Sequence, residues 1–279
     1  MGKKSKDIDK IIDSLNLFDD ELMSRVFDEN NEATEYLINT ILGREDIRIK
    51  SSKGQYSMKS PKVGGHSITL DVKAEDFDGK TFNVEVQNNA EGAHVKRARY
   101  HSSMIDSRML KEKEQYSKLK DSYVIFIYKR DKFRKGLPVY HIERYVEETG
   151  NKFGDGSHII YVNGRYEGDD ALGRLIHDFK CVNSKDVYNK ALADGIRHYK
   201  ETKEGREEMS EKVEKYGDKR ERRGEKRGER RGERRGEKNM RVKAVRSLME
   251  SMKWTVEQAL DALMIDGKER KNIIKVIQD

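Results

Sequence analysis

Two carboxylates and an amide, Asp71, Glu85 and Gln87, stand at spacings that set them on one face of a β-hairpin. The stretch Ser67 to Glu75 alternates apolar and polar residues, and so does Thr81 to Gln87. Period-two alternation over such lengths predicts half-buried strands. Between them, Asp76-Phe77-Asp78-Gly79 reads as a turn, with glycine where positive φ is needed. Ile68, Leu70, Val72, Ala74, Phe82, Val84 and Val86 make the apolar face, and the odd-numbered residues make the polar one. Side-chain faces must match across a strand pair. A three-residue loop, Phe77 to Gly79, closed by Asp76 and Lys80, then sets Asp71 opposite Glu85, with Gln87 one pleat further on. Like charges directly opposite each other destabilise a sheet. A sheet that keeps them invites a cation, and hard carboxylate oxygens suit magnesium or manganese. The plainer reading of the same residues is a solvated polar face with two unrelated acids.

The elements that would position this hairpin follow from the rest of the pattern. Residues 7–42 read as helical, with Leu37, Ile38, Ile41 and Leu42 at helical spacing and Gly43 as a stop. Ile47-Arg48-Ile49 starts a short strand, and 51–66, rich in Ser, Lys and Gly, reads as a loop or ragged edge hairpin. Residues 93–118 predict a polar-faced helix. Tyr123 to Tyr128 is a continuous apolar run, as expected of a strand covered on both faces. A strand, a helix and a buried strand in that order predict a crossover into a mixed sheet. His158 to Val162 reads as a further strand and Asp170 to Phe179 as a helix. The fold class is α/β, with a sheet core over about 45–180 and helices on its faces.

Three segments are expected: a main domain over 1–182, a charged helical extension and linker over 183–238, and a small helical module over 239–279. Residues 219–238 hold eleven Lys or Arg against five Glu, so six of the seven net positive charges sit there and not in the folded body. Within them a four-residue repeat runs from Arg223-Gly224-Glu225-Lys226 to Arg235-Gly236-Glu237-Lys238. It has no apolar residue, and each glycine costs a helix about 0.8–1 kcal/mol relative to alanine. A frayed, solvated helix or a flexible linker is expected, serving either as a spacer or as a polyanion tether that releases counterions from a phosphate backbone. In the last forty residues Val242, Val245, Leu248, Met249 and Met252 mark an apolar face, Thr255 and Gln258 resemble a capping box, and Trp254 reads as the packing anchor.

Cys181 is the single cysteine, which excludes an intrachain disulfide and a zinc site built on cysteines. No apolar run approaches the roughly 20 residues that span a bilayer. The basic N-terminus lacks the apolar stretch of a secretory signal. A cytoplasmic location is the expectation. His94 and His101, seven apart, lack the four-residue spacing of helical zinc pairs and read as surface or structural residues.

Leu70-Asp71-Val72-Lys73-Ala74-Glu75-Asp76, Gly79 and Phe82-Asn83-Val84-Glu85-Val86-Gln87 resemble the core motif of the PD-(D/E)XK nuclease superfamily. The similarity is to its branch of recombination-promoting nucleases or putative transposases, which carries Glu-x-Gln where other branches have Asp/Glu-x-Lys. It extends through Arg97-Ala98-Arg99-Tyr100, strand 123–128 and Pro138-Val139-Tyr140-His141-Ile142, and back to Phe27 and Leu37 to Gly43. The charged repeat and the tail around Ala259-Leu260 also fit the branch.

The resemblance implies a restriction-endonuclease-like core and a divalent-metal nuclease acting on DNA. Asp71, Glu85 and the backbone carbonyl of Val86 would hold Mg2+ or Mn2+. Gln87, where a lysine is usual, can orient water or donate to a phosphate oxygen but brings no charge. Lys73, expected near Asn83, could bring one, and Arg97 or Arg99 could hold phosphate; all three also read as ordinary surface cations. The superfamily's helix acid is matched only loosely by Glu32, with Asp28 and Glu29 competing. Three function classes follow: a DNA endonuclease serving recombination or transposition, a weak or inactive DNA-binding scaffold that uses the basic repeat, and, with no RNA-reading motif behind it, an RNA nuclease. Oligomeric state is open.

Overall fold

Alternation along the central strands and amphipathic helices on either side build two layers against one sheet. The computed structural model describes residues 2–278; for 2–6, 216–235, 237, 238, 268, 269, 271 and 278 it describes the backbone only. The sheet has six strands: β1 (Ile49–Met58), β2 (Ile68–Asp76), β3 (Thr81–Gln87), β4 (Ser122–Tyr128), β5 (Val139–Ile142) and β6 (Ser157–Asn163). Their order is β1-β2-β3-β4-β6-β5. The β1–β2, β2–β3 and β5–β6 pairs are antiparallel, whereas β3–β4 and β4–β6 are parallel. This is the mixed sheet with flanking helices expected of a restriction-endonuclease-like fold.

Helices α1 (Gly2–Ser14), α2 (Asp20–Val26), α3 (Asn31–Leu42), α5 (Ala171–Lys180) and α6 (Lys190–Glu201) contribute to one core. Leu22, Leu37, Ile38, Phe179 and Ile196 pack there against Val72, Phe82, Val84, Ile125 and Val162. Helix α4 (Val95–Asp106) joins β3 to β4 and packs on Val124, Phe126 and Tyr161 in a second cluster. Asn30 caps α3, Asp170 caps α5 and Asn189 caps α6, each accepting from a backbone N–H three residues on.

Of the two readings of 51–66, the edge hairpin is the one the chain takes: residues 51–58 form most of a ten-residue edge strand, β1, paired antiparallel with β2 to its end. Other expectations change. The helix expected over 93–118 stops at Asp106, after which Ser107 and Arg108 turn back. The even-numbered face of β2 is not continuous. Ile68 and Leu70 pack with α4, while Val72 and Ala74 pack in the opposite core. The change occurs at Asp71.

Helix α7 (Lys203–Met252) runs without a break through the four glycines of the charged repeat; of the two readings of that segment, its backbone takes the helical one. Its solvation and charge pairing rest on side chains outside the described residues. The chain divides within α7 into one unit ending at Glu214 and another beginning at Lys215. In the second unit, α8 (Val256–Ala262) and α9 (Gly267–Gln278) pack Leu260, Ile265 and Ile273 with Val242 and Val245. The Thr255–Gln258 capping box is present in full. Trp254 is only half-buried and stands outside this cluster, so Leu260 and not Trp254 is the anchor.

Within the first unit, Lys200 on α6 is buried and donates to the carbonyls of Asp13, Leu15 and Val182 at 2.8, 2.7 and 2.6 Å. It fastens α6 to the segments that follow α1 and α5. Lys200→Met leaves three carbonyls without their donor and is expected to lower the unfolding free energy by about 3 kcal/mol. Urea denaturation followed by circular dichroism measures this; an unchanged midpoint would show that the ammonium holds nothing together.

Candidate functional site

The hairpin turn forms as its residues require. Gly79 has φ 85°, and Asp76 N–H donates to the Lys80 carbonyl at 3.1 Å. From there the ladder pairs Ala74 with Phe82, Lys73 with Asn83 and Val72 with Val84. One step further, where Asp71 meets Glu85, the backbone ladder ends and side chains take over. Asp71 Oδ2 accepts from Val86 N at 2.9 Å, and Glu85 Oε1 accepts from Asp71 N at 3.3 Å. Each acid takes an amide of the other strand. The two carboxylates therefore converge where β2 parts from β3, at the carboxyl end of the parallel strands, the usual crevice in open α/β sheets.

Both acids are buried: Asp71 is 8% exposed and Glu85 0%. Glu85 reaches the α4 layer, where Arg97 Nη2 lies 2.7 Å from its Oε2 and His101 Nδ1 lies 3.5 Å from its Oε1. Arg97 and His101 are one helical turn apart, and Arg97 Nε also donates to His101 Nε2 at 3.3 Å. With Nε2 accepting, a neutral His101 carries its proton on Nδ1, aimed at the Asn83 amide 3.1 Å away. The Asn83 Oδ1, otherwise buried without a partner, becomes the acceptor once that amide is turned over. Ala93 and Ala98, both 0% exposed, keep α4 close enough to β3 for these contacts. On the opposite face of β3, burying Phe82, Val84 and Val86 contributes about 5–9 kcal/mol. That outweighs the cost, several kcal/mol, of holding an ion pair such as Glu85–Arg97 partly out of water.

Among the described residues no cation pairs with Asp71. Burial pushes its carboxyl well above the usual range, and the charges of Glu85 and Asp20 push it further; only the Val86 N–H opposes them. Asp20 is the first residue of α2 and shares a hydrogen bond with Asp71. Burial likewise raises the next residue, Glu21. Asp20 and Glu85 thus both meet Asp71 at the fork. Carboxylate oxygens are hard donors of the kind a divalent cation takes, and the raised Asp71 carboxyl marks where such a cation would offset charge.

The remaining expected residues fall in three places. Val86 and Gln87 lie at the fork with the acids. Gln87 packs against Gly92, where any Cβ would stand 1.9 Å from its Oε1. Lys73 sits two residues along β2, 4.8 Å over the Tyr56 ring, opposite Asn83 in register. Arg97 is tied to Glu85, and Arg99 is exposed on α4. Of the loosely matched helix acids, Glu29 and Glu32 are exposed and Asp28 is part-buried. Asp28 accepts from Gly54 N at 3.0 Å, and both Asp28 and Glu29 pair with Lys53, at 3.2 and 3.0 Å. They brace β1, and Glu32 lies in the first turn of α3; the acid that meets Asp71 is Asp20. Its signal, the run Asp19-Asp20-Glu21 after Phe18, is also what any helix start carries. His101 is buried beside Glu85, where seven-residue spacing from His94 suggested nothing; His94 caps α4 by accepting from Lys96 N at 3.1 Å.

A second cluster, His177, Asp178 and Cys181, brings three potential ligand atoms within 4.8 Å of one another. The Asp178 oxygens accept from Tyr188 N at 2.8 Å and Asn189 N at 3.0 Å. Burial, with help from Asp178 and Asp186, pushes the Cys181 thiol up to about 11. These residues join the end of α5 to the start of α6.

A family model described as PD-(D/E)XK nuclease family transposase matches residues 22–164, just over half of the chain. The match takes in Asp71, Glu85, Gln87 and Arg97 and begins two residues after Asp20. Among curated proteins and solved structures, none matches.

Because the folded state holds the Asp71 proton more tightly than the unfolded chain does, stability falls as pH rises from about 3.9 toward the raised folded value. Asp71→Asn removes this loss. In metal-free buffer at neutral pH it is expected to stabilise the fold by about 1–2 kcal/mol, the gain that relief of a strained site commonly gives. The gain should vanish below about pH 4. Thermal melts of both proteins across pH test it; a destabilised variant at neutral pH would mean that Asp71 is compensated after all.

Proposed function

The chain belongs to the PD-(D/E)XK nuclease family transposases, and from that premise we propose that it is a magnesium-dependent endonuclease that hydrolyses DNA phosphodiester bonds in recombination or transposition. Family membership by itself supports a nuclease or transposase-like role on DNA, and a divalent metal is usual for this fold. The single observation that carries the finer reading is the convergence of Asp71 and Glu85 where their ladder ends, with Asp20 beside them.

In this reading Asp71, Glu85 and the Val86 carbonyl hold the cation, and Asp20 supplies a further carboxylate. When bound, a divalent ion lowers the pKa of a water and neutralises charge developing on the phosphate. The chain's own residues do the rest. Arg97 holds the Glu85 carboxylate from the α4 side, with the His101 ring beside it, so its position is set before substrate arrives. The Asp71 carboxylate is oriented by the Val86 N–H. Gln87 offers an amide that donates to a phosphate oxygen or orients water, without taking a proton itself.

The neutral Gln87 also supports a second reading, a DNA-binding scaffold of little or no activity that uses the basic repeat. It predicts salt-sensitive binding that survives loss of Asp71 and Glu85 and disappears when 219–238 is deleted.

Nicking of supercoiled plasmid separates the two. With Mg2+ the wild type is expected to nick, and chelator, Asp71→Ala or Glu85→Ala should each lower the rate at least about 100-fold, the size of losing one preorganised electrostatic group. Equal activity in all four reactions would end the metal-nuclease reading. Parallel reactions on single-stranded RNA test the RNA alternative.

A further inference from the structure

Gln87 stands where other branches of the superfamily carry a lysine, and the segment one strand over is strongly basic. Residues 129–135 read Lys129-Arg130-Asp131-Lys132-Phe133-Arg134-Lys135, five cations in seven positions. They follow β4 directly, and β4 is parallel to β3 with Tyr128 beside Gln87. Lys129 N donates to the Gln87 carbonyl at 2.9 Å. The Lys129 ammonium lies 5.9 Å from the centre of the Phe18 ring. The Phe18 carbonyl accepts from Asn88 Nδ2 at 2.9 Å, and Asp20 follows two residues later. The basic segment therefore starts at the carboxyl end of the parallel strands, where the acids converge.

It is also built, and not merely charged. Asp131 Oδ1 accepts from Phe133 N, Arg134 N and the Tyr140 hydroxyl at 3.0, 2.9 and 2.7 Å, and its Oδ2 accepts from Gly136 N at 2.7 Å. Phe133 packs edge-on against Tyr140 and Tyr161, with ring centres 4.8 and 5.5 Å apart. Although burial pushes the Asp131 carboxyl up, these donors together hold it below its ordinary value. The one acid in the segment is thus consumed inward by backbone and tyrosine. Arg130, Arg134 and Lys135 are left exposed, and Lys132 is half-buried near the Tyr161 ring. Among the described residues none of the five cations is ion-paired with a carboxylate. A solvated loop would need no such scaffold; a surface that must present several cations at fixed positions does.

We propose that the 129–135 loop is the enzyme's grip on the DNA phosphate backbone, and that Lys129 supplies beside the fork the positive charge that Gln87 does not. The inference rests on the nuclease reading for its orientation, since it aims the backbone at Asp71 and Glu85. Binding to phosphates is independent of base sequence and salt-dependent, because each neutralised phosphate releases counterions.

The test measures binding apart from cleavage. Full-length protein with Lys129, Arg130, Lys132, Arg134 and Lys135 changed to Gln is titrated with a short fluorescent duplex DNA in chelator, over a range of salt. Affinity is expected to fall at least about ten-fold, and the slope of log K against log salt to flatten by about 3–4, at roughly 0.9 per lost phosphate contact. Asp71→Ala should bind as tightly as wild type. Unchanged affinity and slope overturn the grip, whatever the nicking result. Normal nicking by Asp71→Ala together with weak binding by the loop variant overturns the nuclease reading and leaves the grip standing. If the five-fold variant does not fold, Lys129→Gln and the exposed pair Arg134→Gln/Lys135→Gln replace it. A slope unchanged in both then overturns the grip, as does weakening by charge-keeping Arg134→Lys that matches Arg134→Gln.

Discussion

Everything at this site follows from two carboxylates meeting where an antiparallel ladder gives out. Asp71 and Glu85 each accept an amide from the other strand, so the acids replace the last rung instead of hanging beside it. That arrangement buries both, and buried like charges must be offset or neutralised. Glu85 is offset by Arg97. Asp71, pressed also by Asp20, is not, and its carboxyl shifts upward as a result. The asymmetry is chemically useful. One acid is fixed by a guanidinium, while the other carries strain that a cation would relieve.

The surrounding architecture is organised to sustain this expense. Apolar side chains of β2 and β3 pack under α1, α2, α3, α5, α6 and the first turns of α7 on one side, and α4 lays Arg97 and His101 over the other. Lys200 ties α6 back to the segments after α1 and α5, so residues well beyond the family-matched region share the core that backs the site. The change of face at Asp71 belongs to the same economy. A strand that continued its alternation would keep Leu70 on the side of Val72; the bend instead sends Ile68 and Leu70 toward α4 and leaves the carboxylate at the fork.

Where positive charge resides separates two ideas of how such a chain would meet DNA. The sequence concentrates it in the repeat of α7. The fold places a smaller amount, five cations, past the carboxyl end of β4 on the side of the acids, on a loop anchored by Asp131 and Phe133. A helical run of charge contributes long-range attraction, whereas cations held at fixed positions near reacting groups determine register. The first needs only composition; the second needs a scaffold.

Much of this was legible from the chain alone. Strand alternation, the Gly79 turn and face matching placed Asp71 against Glu85, because period-two geometry leaves a tight hairpin little freedom. The continuous apolar run at 123–128 and the capping box at Thr255 were readable for the same reason: their signals are local. What the tertiary structure decided is what depends on residues far apart in sequence. Asp20 carries no sequence signal of its own, and the docking of α2 brings it to Asp71. His101 looked structural until α4 set it one turn from Arg97 and against Glu85. Residues 51–58 left a loop and an edge hairpin both open, and pairing with β2 chose the hairpin; Trp254 had the size of an anchor but not the position. Local periodicity specifies which face a side chain takes; only packing between distant elements determines what that face meets.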